Sequence, residues 1–249
     1  MEPQRLDLCY EIVWKGRWHV GSGYQSAVAH RLLRRMGGVN KEPFVPGSQL
    51  KGVLRHQCER LALALGFEAI NPHAVTPEDQ KALVKHFTPL TNSILIVDRL
   101  FGNRYQGECL FVTNALPVSS DVENEPIVHT RTAMDRVTGT VMEQHLFTTE
   151  LVEGEVNLRG QIRGRHPAGV LTQYAGGFPY EYALLVAGIL SLETLGGDKS
   201  VGLGRCKVTL DEEKLCWNGN PIKPNCALQS FQEKDWQIMV ELLREEQTS

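Results

Sequence analysis

Nowhere in the 249-residue chain do eighteen apolar residues run together, which argues against a membrane-spanning helix of ordinary length. The opening Met1-Glu-Pro-Gln-Arg-Leu-Asp is polar and acidic, without the basic stretch and apolar run of a secretory signal, so a cytoplasmic protein with no membrane partner is expected. Six cysteines (Cys9, Cys58, Cys109, Cys206, Cys216, Cys226) are scattered with no CxxC pair. That pattern suggests neither a disulfide framework nor a cysteine zinc cage, and the cysteines read as reduced thiols. The eight histidines show no HExxH or paired metal spacing, and no metal site is expected from them. Repeats and low-complexity tracts are also missing. So is an excess of positive charge: the net charge is −3, which by itself argues weakly against a nucleic-acid ligand.

What is present is ordinary globular composition, 42% hydrophobic and 22% charged, enough for one domain with a real core over 1–249. The charge is polarised. Residues 31–60 carry Arg31, Arg34, Arg35, Lys41, Lys51, Arg55 and Arg60 against Glu42 and Glu59, net +5, which leaves the rest of the chain at −8 against the total of −3. Charge alone does not separate a phosphate-binding face from an ordinary solvated helix face.

Partial alternation over 5–15 predicts a first strand ending near Trp18-His19-Val20-Gly21, and a loop then runs to Pro46. From Ser48, apolar residues at 50, 53, 54, 58, 61 and 65 predict a helix with Ser48 as N-cap and Gly66 as stop. The stretch 67–106, with Pro72, Pro77 and Pro89 and a short helix at 77–86, reads as an insertion outside the core. Strand character returns at 108–113 and again from 155, where Val156, Leu158 and Ile162 fall toward the buried side. Between them, 127–152 is polar and β-branched. A helix over 179–194, a strand over Cys206–Leu210, a hairpin turn at Trp217-Asn-Gly-Asn and an acidic helix over 232–245 complete the chain. The order βαββαβ is that of an α+β, ferredoxin-like or RRM-like palm.

Two motifs carry chemistry. Pro46-Gly47-Ser48-Gln49-Leu50-Lys51-Gly52 places a turn and a lysine at a helix start, where free amides and the dipole favour phosphate. An ordinary capped helix accounts for the serine but not for the clustering of Gly47, Lys51 and Arg55. Gly196-Gly-Asp-Lys-Ser-Val-Gly-Leu-Gly-Arg205 has four glycines in ten residues, which lets backbone approach an anion. Its spacing fits neither a dinucleotide fingerprint nor a Walker A loop, and in isolation a tight helix-to-strand connection is the better explanation.

Together these motifs resemble the PGSSLKGxLR helix start and the glycine-rich loop of the RAMP superfamily of CRISPR-associated proteins. Leu100-Phe101-Gly102 and the stretch from Thr130 to Phe147 are similar to the LFG turn and thumb hairpin of type III backbone subunits, and the resemblance runs from about residue 8 to 210 in the family's order. It implies an RRM-like palm with a projecting thumb hairpin within 118–153, stacked with other RAMP subunits and a large signalling subunit into an antiviral ribonucleoprotein. CRISPR guide RNA would cross the palms and pair with target single-stranded RNA, the thumbs kinking the duplex. The matched guide-RNA contacts are Ser48, Gln49, Lys51 and Arg55 at the helix start, Lys199, Ser200, Gly202 and Gly204 in the loop, and Arg131, Arg136 and Met142 in the thumb. Cations and amides would meet phosphates while an apolar tip wedges between bases. For Met134 and Met142, core packing is the competing reading.

The resemblance also bears on catalysis. Family members that cut target RNA carry an aspartate between the first strand and the PGS motif, supporting metal-dependent attack of a ribose 2′-hydroxyl. Gly21–Val45 contains no aspartate, and the position falls opposite His30 or Arg31, which do not replace a carboxylate for a hard cation. A non-cleaving subunit without cofactor is expected, with Mg²⁺ needed only if it cuts. His30 is the one candidate general base. The alternatives are a metal-dependent target-RNA endoribonuclease and, more weakly, a guide-RNA processing nuclease, for which the second ferredoxin-like unit is missing.

Overall fold

A computed structural model describes residues 3–37, 42–67, 96–103, 107–118, 126–154, 156–167, 171 and 178–229. In chain order these form β1 (Gln4–Trp14), α1 (Gly47–Ala64), α2 (Ile96–Phe101), β2 (Leu110–Val112), β3 (Leu116–Pro117), β4 (Ile127–Met134) and β5 (Val141–Leu151). There follow β6 (Asn157–His166), α3 (Tyr180–Leu190), β7 (Cys206–Leu210), β8 (Cys216–Trp217), β9 (Asn220–Pro221) and α4 (Pro224–Leu228).

Alternation organises the palm. Along β1, Leu6, Leu8, Tyr10, Ile12 and Trp14 are buried while the intervening side chains are on the opposite face. β1 is the central strand, antiparallel to β6 on one side and to β7 and β8 on the other, and β2 and β3 pair with the far edge of β6. The order β7, β1, β6, β2/β3, with α1 and α3 on the buried face, is the βαββαβ ferredoxin-like arrangement that the element order predicts. Each fully buried leucine or isoleucine of that face contributes roughly 1.5–3 kcal/mol by leaving water.

Three expectations change. Ser48 is exposed and is not the N-cap: α1 begins at Gly47 with Pro46 in the cap position and no side-chain cap of its own. The Gly47 N–H is instead satisfied from a distance, donating to Asn114 Oδ1 at 2.9 Å from the β2–β3 connection, a partner no local pattern could name. Second, the helix read over 179–194 ends at Leu190. Third, the 67–106 stretch does not stay outside the core. Residues 68–95, with the short helix read at 77–86, lie outside the described residues, but α2 is buried along its whole length. The Arg55 guanidinium joins the Asp98 carboxylate on α2 and donates to the Gly102 carbonyl at 2.6 Å. Arg99 pairs with Glu181 at 2.9 Å, both side chains being almost fully buried, and His166 reaches the Arg99 carbonyl at 2.9 Å. The LFG turn is therefore a core element held by buried ion pairs. The helix read over 232–245 also lies outside the described residues.

β4 and β5 form a separate two-stranded ribbon in register from Ile127↔Leu151 to Met134↔Val141, with an irregularity between Thr132 and Met134. Its far end carries exposed apolar side chains: Met134 is 61% exposed, Val137 94% and Met142 41%. Core packing is thereby ruled out for both methionines. The base of the ribbon is anchored where Trp18 and Val152 exchange backbone hydrogen bonds of 3.1 and 3.0 Å, with Trp18 stacked on Trp14 at 4.5 Å.

Candidate nucleic-acid interface

The loop leaving β1 is stitched to the ribbon's base. His30 and Arg31 N–H donate to the Thr148 carbonyl at 3.0 and 3.1 Å, and Glu150 N–H donates to the Arg31 carbonyl at 3.0 Å. The Glu150 carboxylate accepts from Leu33 N–H at 3.0 Å and from Arg35 at 3.2 Å. Backbone and side chain together thus fix residues 30–35 against β5.

The glycine-rich loop closes on the same place. Gly197 N–H donates to the His19 carbonyl at 2.8 Å, and Gly204 N–H to the Arg17 carbonyl at 2.9 Å. Gly204 has φ +78°, and a Cβ there would lie 2.0 Å from the Leu195 carbonyl oxygen, so no other residue fits. Between them Lys199–Val201 form an exposed 3-10 turn preceded by Asp198 at φ 56°.

Asp198 is the junction. Its carboxylate accepts from Arg31 at 2.9 and 3.0 Å and from Arg131 on β4 at 3.1 Å, joining the β1–α1 loop, the glycine-rich loop and the ribbon. Partial burial pushes this carboxyl upward, but the hydrogen bond and charge of Arg31 with the charge of Arg131 outweigh it and hold it below its ordinary value. Two guanidinium groups share one carboxylate, which leaves positive charge for a phosphate.

These elements enclose an open cleft of about 630 Å³ lined by His19, Tyr24, His30, Arg31, Gln49 and Gly197, among others. Of the two histidines in it, His30 has its Nδ1 against Thr148, 3.1 Å from the backbone N and 3.0 Å from Oγ1, so that nitrogen is engaged and Nε2 is left free of it. His19 Nδ1 lies 2.7 Å from the Glu150 carbonyl, which can only accept, so Nδ1 carries the proton and Nε2 the lone pair. Burial and, less strongly, the charge of Arg31 hold His19 below its ordinary pKa, against that hydrogen bond, and keep it neutral.

The predicted contacts divide. Gln49 and His30 line the cleft, Lys199, Ser200 and Gly202 belong to the exposed turn that follows its Gly197, Arg131 is paired with Asp198, Ser48 is exposed at the helix start, and Arg136 and Met142 are exposed on the ribbon's far part. Lys51, Arg55 and Gly204 do not join them. Lys51 is spent on Glu108 and on the Leu110 carbonyl at 3.1 Å, Arg55 on Asp98, Glu59 and Gly102, and the Gly204 amide on Arg17. His19, Arg31 and Asp198 are cleft residues that the sequence does not assign to RNA; a histidine at a strand end followed by Val-Gly-Ser-Gly is the available signal.

The carboxylates of Asp198 and Glu150 are engaged by arginines, and no cluster of three acidic, His or Cys ligands occurs among the described residues. No described helix is long and apolar enough to cross a membrane.

A ferredoxin-like palm with a hairpin inserted before its third main strand, and an arginine-bearing cleft where the hairpin joins the palm, defines an RRM-like protein built to hold a polyanion. Residues 12–207 match the RAMP superfamily, and the chain belongs to it. Membership makes it a CRISPR-associated RNA-binding protein. Comparison with curated proteins found no match.

Proposed function

We propose that this chain is a non-cleaving backbone subunit of a cytoplasmic type III CRISPR effector, holding guide RNA in the cleft between the β1–α1 loop, the glycine-rich loop and the base of the hairpin. The observation that carries this reading is the Arg31–Asp198–Arg131 junction, which brings positive charge from two separate elements to one strand-sized cleft. The hairpin's exposed Met134 and Met142 suit a wedge that splays bases of a guide–target duplex, with further RAMP subunits and a large signalling subunit as the expected partners. The absence of aspartate from 21–45 supports the non-cleaving assignment.

Purifying the native assembly and sequencing its RNA tests the reading: repeat-derived guides are expected, and an RNA-free assembly contradicts it. Cleavage of a complementary target with wild-type, His30→Ala and Arg31→Asp subunits, with and without Mg²⁺, tests the second half. No cutting at this subunit's site is expected from wild type, and Mg²⁺-dependent cutting there refutes it.

A further inference from the structure

His19 is 1% exposed and so belongs by burial to the core, yet it lines the cleft. Its Nδ1–H is committed to the Glu150 carbonyl, and Nε2 has no hydrogen-bond partner among the described residues. The cleft side of the ring is kept clear by two glycines. A Cβ at Gly21 would sit 3.2 Å from Nε2, and one at Gly197 would sit 3.4 Å from the adjacent Cδ2. Nε2 opens onto the cleft as an unengaged acceptor, available to a donor that a ligand brings.

The donor's identity follows from chemistry. A phosphodiester has no proton to give. Base N–H groups do, but a subunit that holds guides of changing sequence cannot depend on them, which leaves the ribose 2′-hydroxyl. The Arg31 guanidinium would approach a Cβ at Gly197 to 3.4 Å, as would the His19 ring, so a phosphate on Arg31 would place the neighbouring ribose beside His19. The other charged groups near the ring are Asp198, engaged by the arginines, and Glu150, engaged by Leu33 and Arg35.

We infer that His19 Nε2 accepts a hydrogen bond from a ribose 2′-hydroxyl and that this subsite makes the cleft select RNA over DNA. The inference rests on the RNA-binding reading of the cleft.

The test measures binding of the full chain to oligouridine, oligo-2′-deoxyuridine and 2′-O-methyl oligouridine of one length by fluorescence anisotropy. Wild type should prefer the ribo form by roughly three- to tenfold, as expected for one hydrogen bond, and should bind the 2′-O-methyl form as weakly as the deoxy form. His19→Asn keeps a donor for the Glu150 carbonyl but stops short of the cleft. It should bring the ratio of ribo to deoxy affinity down to about one, with circular dichroism reporting that the variant is folded. A ribo preference that survives in His19→Asn, tight binding of the 2′-O-methyl form, or equal ribo and deoxy binding by wild type overturns the inference while leaving RNA binding intact. Failure of wild type to bind any of the three overturns the underlying reading as well. Should His19→Asn not fold, the 2′-O-methyl comparison on wild type decides alone.

Discussion

Two cationic regions of this palm look alike in sequence and behave differently in the structure. On α1, Lys51 and Arg55 are 17% and 16% exposed and meet Glu108, Glu59, Asp98 and two backbone carbonyls. At the cleft, Arg31 and Arg131 are 45% and 22% exposed and divide the single carboxylate of Asp198. The first set is internally neutralised and fixes α1 to α2 and β2. The second is under-neutralised and faces solvent across three chain segments. On the proposed reading, the ratio of cations to carboxylates in space is a better guide to where phosphate binds than the clustering of cations on a helix start.

The largest expected effect separates the two regions by stability. Arg55→Ala leaves Asp98 buried without its guanidinium partner and should cost about 3 kcal/mol, as breaking a buried pair does. Denaturant unfolding measures it, and a loss under about 1 kcal/mol would make the α1 network as dispensable as an exposed one. Next comes Asn114→Ala, which strips the remote cap from the buried Gly47 N–H and should cost about 1 kcal/mol. Equal stability of that variant would mean that the start of α1 needs no partner. The smallest effect concerns the cleft. Because the folded Asp198 carboxyl is held below its ordinary value of 3.8, its stabilisation is present above that value and fades as pH falls through the lowered one. Asp198→Asn should thus cost less than about 1 kcal/mol at neutral pH, given partial exposure, and nothing in strong acid. A deficit that persists in strong acid would assign the loss to the hydrogen-bond geometry of the side chain and not to its charge.

The palm is legible in the sequence because its determinants are local and periodic. Alternation in β1 and β6, three-and-four spacing in α1, and Asn-Gly at the β8–β9 turn, where Asn218 has φ 50° and Gly219 φ 82°, each report a backbone state directly. The Cys206–Leu210 strand is legible to the residue for the same reason. What is not legible depends on partners far apart in the chain. Arg55 reads as a free cation until Asp98, forty-three positions on, is seen beside it. Arg31 and Asp198 are separated by 167 positions, and nothing in either neighbourhood names the other. α2 reads as part of an insertion because buried Asp98 and Arg99 are polar in sequence, and only their pairing explains the burial. His19 reads as a surface or core histidine, and by burial it is a core one; its open nitrogen is visible only from the tautomer that Glu150 imposes.

The claim that phosphate is held at the cleft and not on α1 is tested most directly by the salt dependence of oligouridine binding, compared among wild type, Lys51→Ala and the double variant Arg31→Ala/Arg131→Ala. Removing one cation that neutralises a phosphate should reduce the slope of log affinity against log salt by about 0.7 for a single strand. The double variant should therefore fall by about 1.4, in a fold that remains intact, while Lys51→Ala keeps the wild-type slope. A slope that drops in Lys51→Ala and holds in the double variant would move the RNA to α1 and contradict the account.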